Sequence, residues 1–198
     1  MPENFRARLI YSKRGGACFV PHIALAQIFA RSASRAGFSL EMTQGFSPRP
    51  HLSFGPELPA GVVALNEQLD MYFAQEYPDI INPMNDALPE GFAISQVLPV
   101  PENSPNLGKA CTHAEYLLRS GFDLVDLAKS FYGENLILSE KCDDWLRIIV
   151  AQPAQNPIGG FVKSLIRDEL LQGWHQINIV RTAVGSFNQQ EGKVLMNA

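Results

Sequence analysis

Phe5-Arg6-Ala7-Arg8-Leu9-Ile10-Tyr11 alternates apolar and polar residues before turning wholly apolar, the pattern of a strand. Lys13-Arg14-Gly15-Gly16 follows as a turn, and from His22 to Ala36 the period changes. Ile23, Leu25, Ala26, Ile28, Phe29, Ala33 and Ala36 fall at helical spacing, with Pro21 just before them and Gly37 just after. Working outward, Phe38 to Thr43 predicts a second strand, Gln68 to Ala74 a third, Asp79 to Leu88 a short helix and Phe92 to Val97 a fourth strand. The order is βαββαβ.

The order then recurs. Thr112 to Arg119 reads as a strand, Leu124 to Phe131 as a helix, and Leu136 to Ser139 and Trp145 to Val150 as strands. Ile158 to Leu171 reads as a helix and His175 to Thr182 as a strand. The repeat is one of topology, not of residue identity. The fold class expected is α+β: two tandem ferredoxin-like (βαββαβ) halves, each a four-stranded antiparallel sheet with two helices on one face. The divisions expected are 1–98 for the first half, a linker at 99–109 rich in Pro, Asn and Ser, 110–184 for the second half, and a polar, fraying tail at 185–198.

Of 198 residues, 46% are hydrophobic and 18% charged, enough apolar surface for a core and against global disorder. No apolar run approaches the ~18 to 20 residues that cross a bilayer. Residues 1–11 lack the continuous apolar stretch of a secretory signal, so a cytoplasmic location without membrane association is expected. Cys18, Cys111 and Cys142 stand too far apart for a disulfide framework or a cluster-binding loop, so neither metal nor cofactor is expected. The net charge of −4 is uneven. Residues 1–51 carry seven Lys/Arg against Glu3 and Glu41, whereas residues 52–145 carry four against fifteen Asp/Glu. An acidic whole argues against indiscriminate nucleic-acid binding, and a basic N-terminal third leaves room for a local anion-binding face.

The segment from Thr43 to Gly55 holds Gly45, Pro48, Pro50 and Gly55, residues that fix or permit special backbone angles and so give a loop one shape. Such a loop displays Gln44, Phe46, Arg49 and His51, and Arg and His beside an aromatic suit RNA; a proline-rich crossover with core aromatics fits the same residues. Arg31 and Arg35, at i and i+4, share a helix face suited to phosphate or to water alone. The surface expected brings Arg31, Arg35, Arg49 and His51 together. His22 and His51 are the candidates for acid/base chemistry, should they meet in space. Glu67 and Asp70, three apart in a strand, point to opposite faces and cannot work as a pair.

The ordered set Arg8 to Lys13, His22 through Gly37, Gln44-Gly45-Phe46-Ser47-Pro48-Arg49-Pro50, Ser53-Phe54-Gly55, Leu58 to Gly61, Glu67, Asp70 and Leu88 to Phe92 resembles the radical SAM-linked protein family. Members of that family are encoded beside or fused to a radical SAM protein. The likeness covers residues 6–98 best. It departs at His22-Ile23-Ala24, where the family has a His-Leu-Asp type of start, and at Arg49, where a histidine is frequent. The resemblance implies a radical SAM protein as partner, with the radical chemistry on that partner, and RNA or a ribonucleoprotein as the object of the work. The expectation is a non-catalytic accessory or substrate-binding module. The alternatives are a self-sufficient RNA-processing enzyme of tandem ferredoxin-like fold and a protein–protein adaptor without a nucleic-acid role.

Overall fold

The computed structural model describes residues 5–101 and 103–196. The fold is mixed α+β: a large, mostly antiparallel sheet with helices. In the first half the elements are β1 (Phe5–Lys13), α1 (His22–Arg35), β2 (Leu52–Phe54), β3 (Val63–Phe73), α2 (Ile81–Ala87) and β4 (Phe92–Pro99). After a short α3 (Leu107–Ala110) come β5 (His113–Ser120), α4 (Val125–Tyr132), β6 (Leu136–Cys142), β7 (Trp145–Ala151), α5 (Ile158–Arg167), β8 (Ile177–Asn188) and β9 (Lys193–Leu195). The strand order is β4-β1-β3-β8-β5-β7-β6, with β2 also on β3 and β9 also on β8.

Period-two alternation sorts β1 and β3 into two faces. Ala7, Leu9, Leu69, Met71 and Phe73 form one core with Leu25, Phe29 and Ala33 of α1 and Met84 of α2. Arg6, Arg8 and Asp70 lie on the other face. α1 ends where its sequence directs. The Phe38 N–H donates to Ala33 O, and Gly37 takes φ +80°, a left-handed angle that glycine adopts at little cost. In the second half Tyr116, Leu118, Ile148, Val150 and Ile177 pack under Ala128 and Tyr132 of α4 and Phe161, Val162 and Leu165 of α5.

Four expectations need correction. The two sheets are one. β3 starts at Val63, not Gln68, and its early residues pair in parallel with β8, Val63 opposite Val180 and Ala64 opposite Arg181. That pairing covers edges which separate halves would leave open. Second, Phe38 to Thr43 is not a strand. It makes isolated bridges at Leu40 and Met42, and the place beside residues 69–71 of β3 is taken by Leu52–Phe54. Third, the linker expected at 99–109 runs into a short helix, α3, and packs against both halves. Leu107 is fully buried, and Arg6 donates to the Ser104 and Pro105 carbonyls. Fourth, the residues after Thr182 continue β8 and fold back as β9, burying Val194. Gly185 permits the approach: a Cβ there would lie 1.9 Å from Leu195 O. Residues 197–198 of the expected tail lie outside the described residues. Among the described residues, no helix is long and apolar enough to cross a membrane.

Candidate functional site

Residues 40–51 form a projecting hairpin. The Glu41 N–H donates to Tyr72 O, and the Tyr72 N–H donates to His51 O, docking both arms on the end of β3. His51 N–H donates to Glu41 O, Thr43 N–H to Arg49 O, and Arg49 N–H to Thr43 Oγ1, locking arm to arm. The tip, Gln44 to Pro48, is exposed throughout, and Gly45 at φ +130° makes the reversal. Phe46 is 111% exposed, its ring wholly in water. Arg49 is exposed on the return arm.

The base of the hairpin is a stack. The His51 imidazole lies flat on Tyr72, centroids 3.6 Å apart and planes 2° from parallel. The Arg6 guanidinium sits 5.4 Å from the Tyr72 centroid, and His51 Nδ1 is 3.7 Å from a Glu41 carboxylate oxygen. Tyr72 alternates with Met71 and Phe73, so this stack stands on the face opposite the helices.

The expected convergence of Arg31, Arg35, Arg49 and His51 is therefore corrected. Arg49 and His51 share one hairpin arm. Arg31 and Arg35 belong to the helix layer, where the Arg35 guanidinium donates to Ala87 O at 2.6 Å and Ser32 Oγ at 3.0 Å. The sheet lies between the two groups. His22 and His51 do not meet either. His22 packs edge-on against Phe54, centroids 5.6 Å apart, on the helix side.

A second assembly, which the sequence reading missed, lies where the halves join. Arg181 is fully buried and Glu67 nearly so. Arg181 Nε donates to Glu67 Oε1 at 2.6 Å and Nη2 binds Glu67 Oε2. The remaining guanidinium donors meet the Pro56 carbonyl at 2.9 Å and the Glu57 carbonyl at 3.4 Å. Burial opposes the charge on Arg181, but Glu67 and Tyr116 outweigh it and hold the guanidinium protonated. Lys13, also buried, donates to Val20 O at 3.3 Å; burial lowers its pKa, opposed by Glu67 and Cys18. Arg181 of β8 binds Glu67 of β3 and the carbonyls that precede β3, so the assembly clamps the halves together. Glu67 and Asp70 do point to opposite faces: Asp70 binds Arg6 and Arg8 on the other side of the sheet.

His22 borders this seam and titrates below its ordinary value of 6.5. Burial is the main cause, with Glu57 opposing it, Arg181 adding to it, Glu67 opposing and Lys13 adding. As pH falls through the ordinary value, the unfolded chain takes up the proton first, so stability is lost from there down to the depressed native value. The expected outcome is a urea midpoint that declines below pH 6.5, with a shallower decline in His22→Gln. Equal slopes in the two proteins would remove His22 from the account.

Cys18 and Cys111 are buried and Cys142 is exposed. Among the described residues, no group of three or more His, Cys, Asp and Glu side chains is placed to hold a metal ion.

A family model described as "Uncharacterized protein conserved in bacteria (DUF2344)" matches residues 6–155. No curated protein matches the chain. Among solved structures, an unknown protein from Galdieria sulphuraria shares 8% identity, covering 94% of this chain and 100% of its own, at a TM-score of 0.30. The acetolactate synthase small subunit from Thermotoga maritima shares 16% identity, covering 94% and 99%, at a TM-score of 0.27.

Proposed function

The chain belongs to the uncharacterized bacterial family DUF2344, and from that premise we propose a binding module without chemistry of its own. It is built of two ferredoxin-like units in tandem and presents its hairpin to RNA or a ribonucleoprotein for a radical SAM enzyme. The strand orders β4-β1-β3-β2 and β8-β5-β7-β6 support the tandem reading, since each is the order of a split βαβ unit.

The observation that carries the RNA reading is Phe46, wholly exposed at the tip of a backbone-locked hairpin, with Gln44 and Arg49 exposed beside it. A ring wholly in water offers its face, and single-stranded RNA offers bases to stack on it. Arg49, exposed on the return arm, supplies charge for the backbone. The radical SAM partnership rests on the sequence resemblance. The separated cysteines fit that division of labour, with the cluster on the partner.

Binding of a short unstructured RNA, followed by fluorescence anisotropy, tests the reading. Arg49→Ala weakens it by about 1–3 kcal/mol if the guanidinium reads a base or chelates phosphate. Arg35→Ala leaves it unchanged, because that guanidinium is engaged with Ala87 O in the helix layer, on the other side of the sheet from the hairpin. Parent-like binding by Arg49→Ala, or no binding by the parent, contradicts the proposal.

A further inference from the structure

The helix face holds an aromatic-walled cleft away from the hairpin. Phe19 ends the turn Gly15–Phe19 and is 73% exposed. Its ring lies over Gly61, whose added Cβ would be 3.8 Å from it. Trp174, from the second half, is half-buried, and its ring edge reaches within 3.9 Å of a Cβ placed on Gly159. Between them is a cavity of about 340 Å³ with Val62, Ile177 and Ile179 in its lining and exposed His175 and Asn178 at its rim.

The sheet is incomplete at this place. β3 begins at Val63 opposite Val180, so the Ile177–Ile179 stretch of β8 has β5 on one side and the cleft on the other. A strand edge carries backbone N–H and C=O groups. The cleft therefore combines two aromatic walls, an apolar floor and a polar backbone edge. Its volume falls in the range of small-molecule sites and is too small for a helix.

Resting on the reading of the chain as an RNA-binding module, we infer that this cleft is a slot for one nucleobase, stacked by Phe19 and Trp174 and hydrogen-bonded along its edge by β8. The base comes from a residue of bound RNA or from a free nucleotide. An extended peptide could pair its backbone with the strand edge but would fill only one side of the cleft; two ring walls together favour a base, flat and with donors and acceptors around its rim.

The test uses AMP as probe, with Trp174 emission followed in a Trp145→Phe background, and the short RNA in parallel. AMP is expected to quench Trp174. Phe19→Ala and Phe19→Leu are expected to weaken AMP binding about tenfold, the loss of one base–aromatic stack, while Phe19→Tyr keeps the parent affinity. Phe19 is mostly exposed, so these variants fold. No change in emission at millimolar AMP, or equal affinity in Phe19→Leu and Phe19→Tyr, overturns the slot. RNA binding sensitive to Phe19 places the base within RNA. AMP binding without RNA binding assigns the slot to a free nucleotide and defeats the module reading. RNA binding lost in Phe46→Ala but indifferent to Phe19, with AMP silent, defeats the slot and leaves the module reading standing.

Discussion

Replacing Arg181 by Met destabilises the protein by about 3–5 kcal/mol, measured by urea unfolding near neutral pH. The loss comes from what is left behind. Glu67 would keep its carboxylate in a site 5% exposed, without the guanidinium that binds both of its oxygens. The carbonyls of Pro56 and Glu57 would lose their donors together. A double replacement, Glu67→Leu with Arg181→Met, recovers much of the loss, because an apolar pair leaves no uncompensated charge. Equal destabilisation in the single and double variants would mean that the pair's charges are not what the site depends on. Since Glu67 and Arg181 come from different halves, this pair is a charged fastening of the β3–β8 junction, beside the bonds from Asn66 Nδ2 to Thr182 O and from Gln68 Nε2 to Val184 O.

Asp70→Asn produces a loss of similar size on the other face, again about 3–5 kcal/mol. One Asp70 oxygen accepts from Arg6 Nη2 at 2.6 Å and the other from Arg8 Nε at 2.7 Å. Asparagine keeps the shape, removes the charge and turns an NH2 donor toward one of the two guanidinium groups, so the loss combines charge and hydrogen bonding. Arg6 also donates to the Ser104 and Pro105 carbonyls, so loosening it frees the segment between the halves. Hydrogen exchange at residues 103–111 is expected to rise more than at α4 or α5. An Asp70→Asn variant with the parent's unfolding midpoint and the parent's exchange there contradicts this.

Elements with a clean period were legible in the sequence. β1, α1, β4, β5, β7 and the start of α5 were found within a few residues, because each buries one face and the apolar spacing records it. Elements fixed by distant pairing were not. Val63 to Glu67 lacks a regular alternation, and its place in β3 is set by β1 and β8. Leu52–Phe54 reads as a short extended piece within the proline-rich segment and is a strand, but three residues carry no period to say what it pairs with. The hairpin's irregular, reversing backbone was legible from Gly45, Pro48 and Pro50. Its partner was not, although Tyr72 alternates with Met71 and Phe73 and so could have been assigned to the face opposite the core. Arg181 carries no local signal: it stands in an ordinary strand, and its acid partner is 114 residues away. The expected patch failed for a related reason. Chain proximity to one strand does not say on which side of a sheet a side chain stands.

The most direct test of the central claim is ultraviolet crosslinking in cells, with the RNA-bearing peptides of this protein mapped by mass spectrometry. The account predicts crosslinks on the tip and return arm of the hairpin, at Phe46 and its neighbours through His51, and their loss in a Phe46→Ala/Arg49→Ala variant that accumulates normally. Absence of crosslinked RNA, or crosslinks confined to surfaces remote from residues 44–51 and undiminished in that variant, would contradict it.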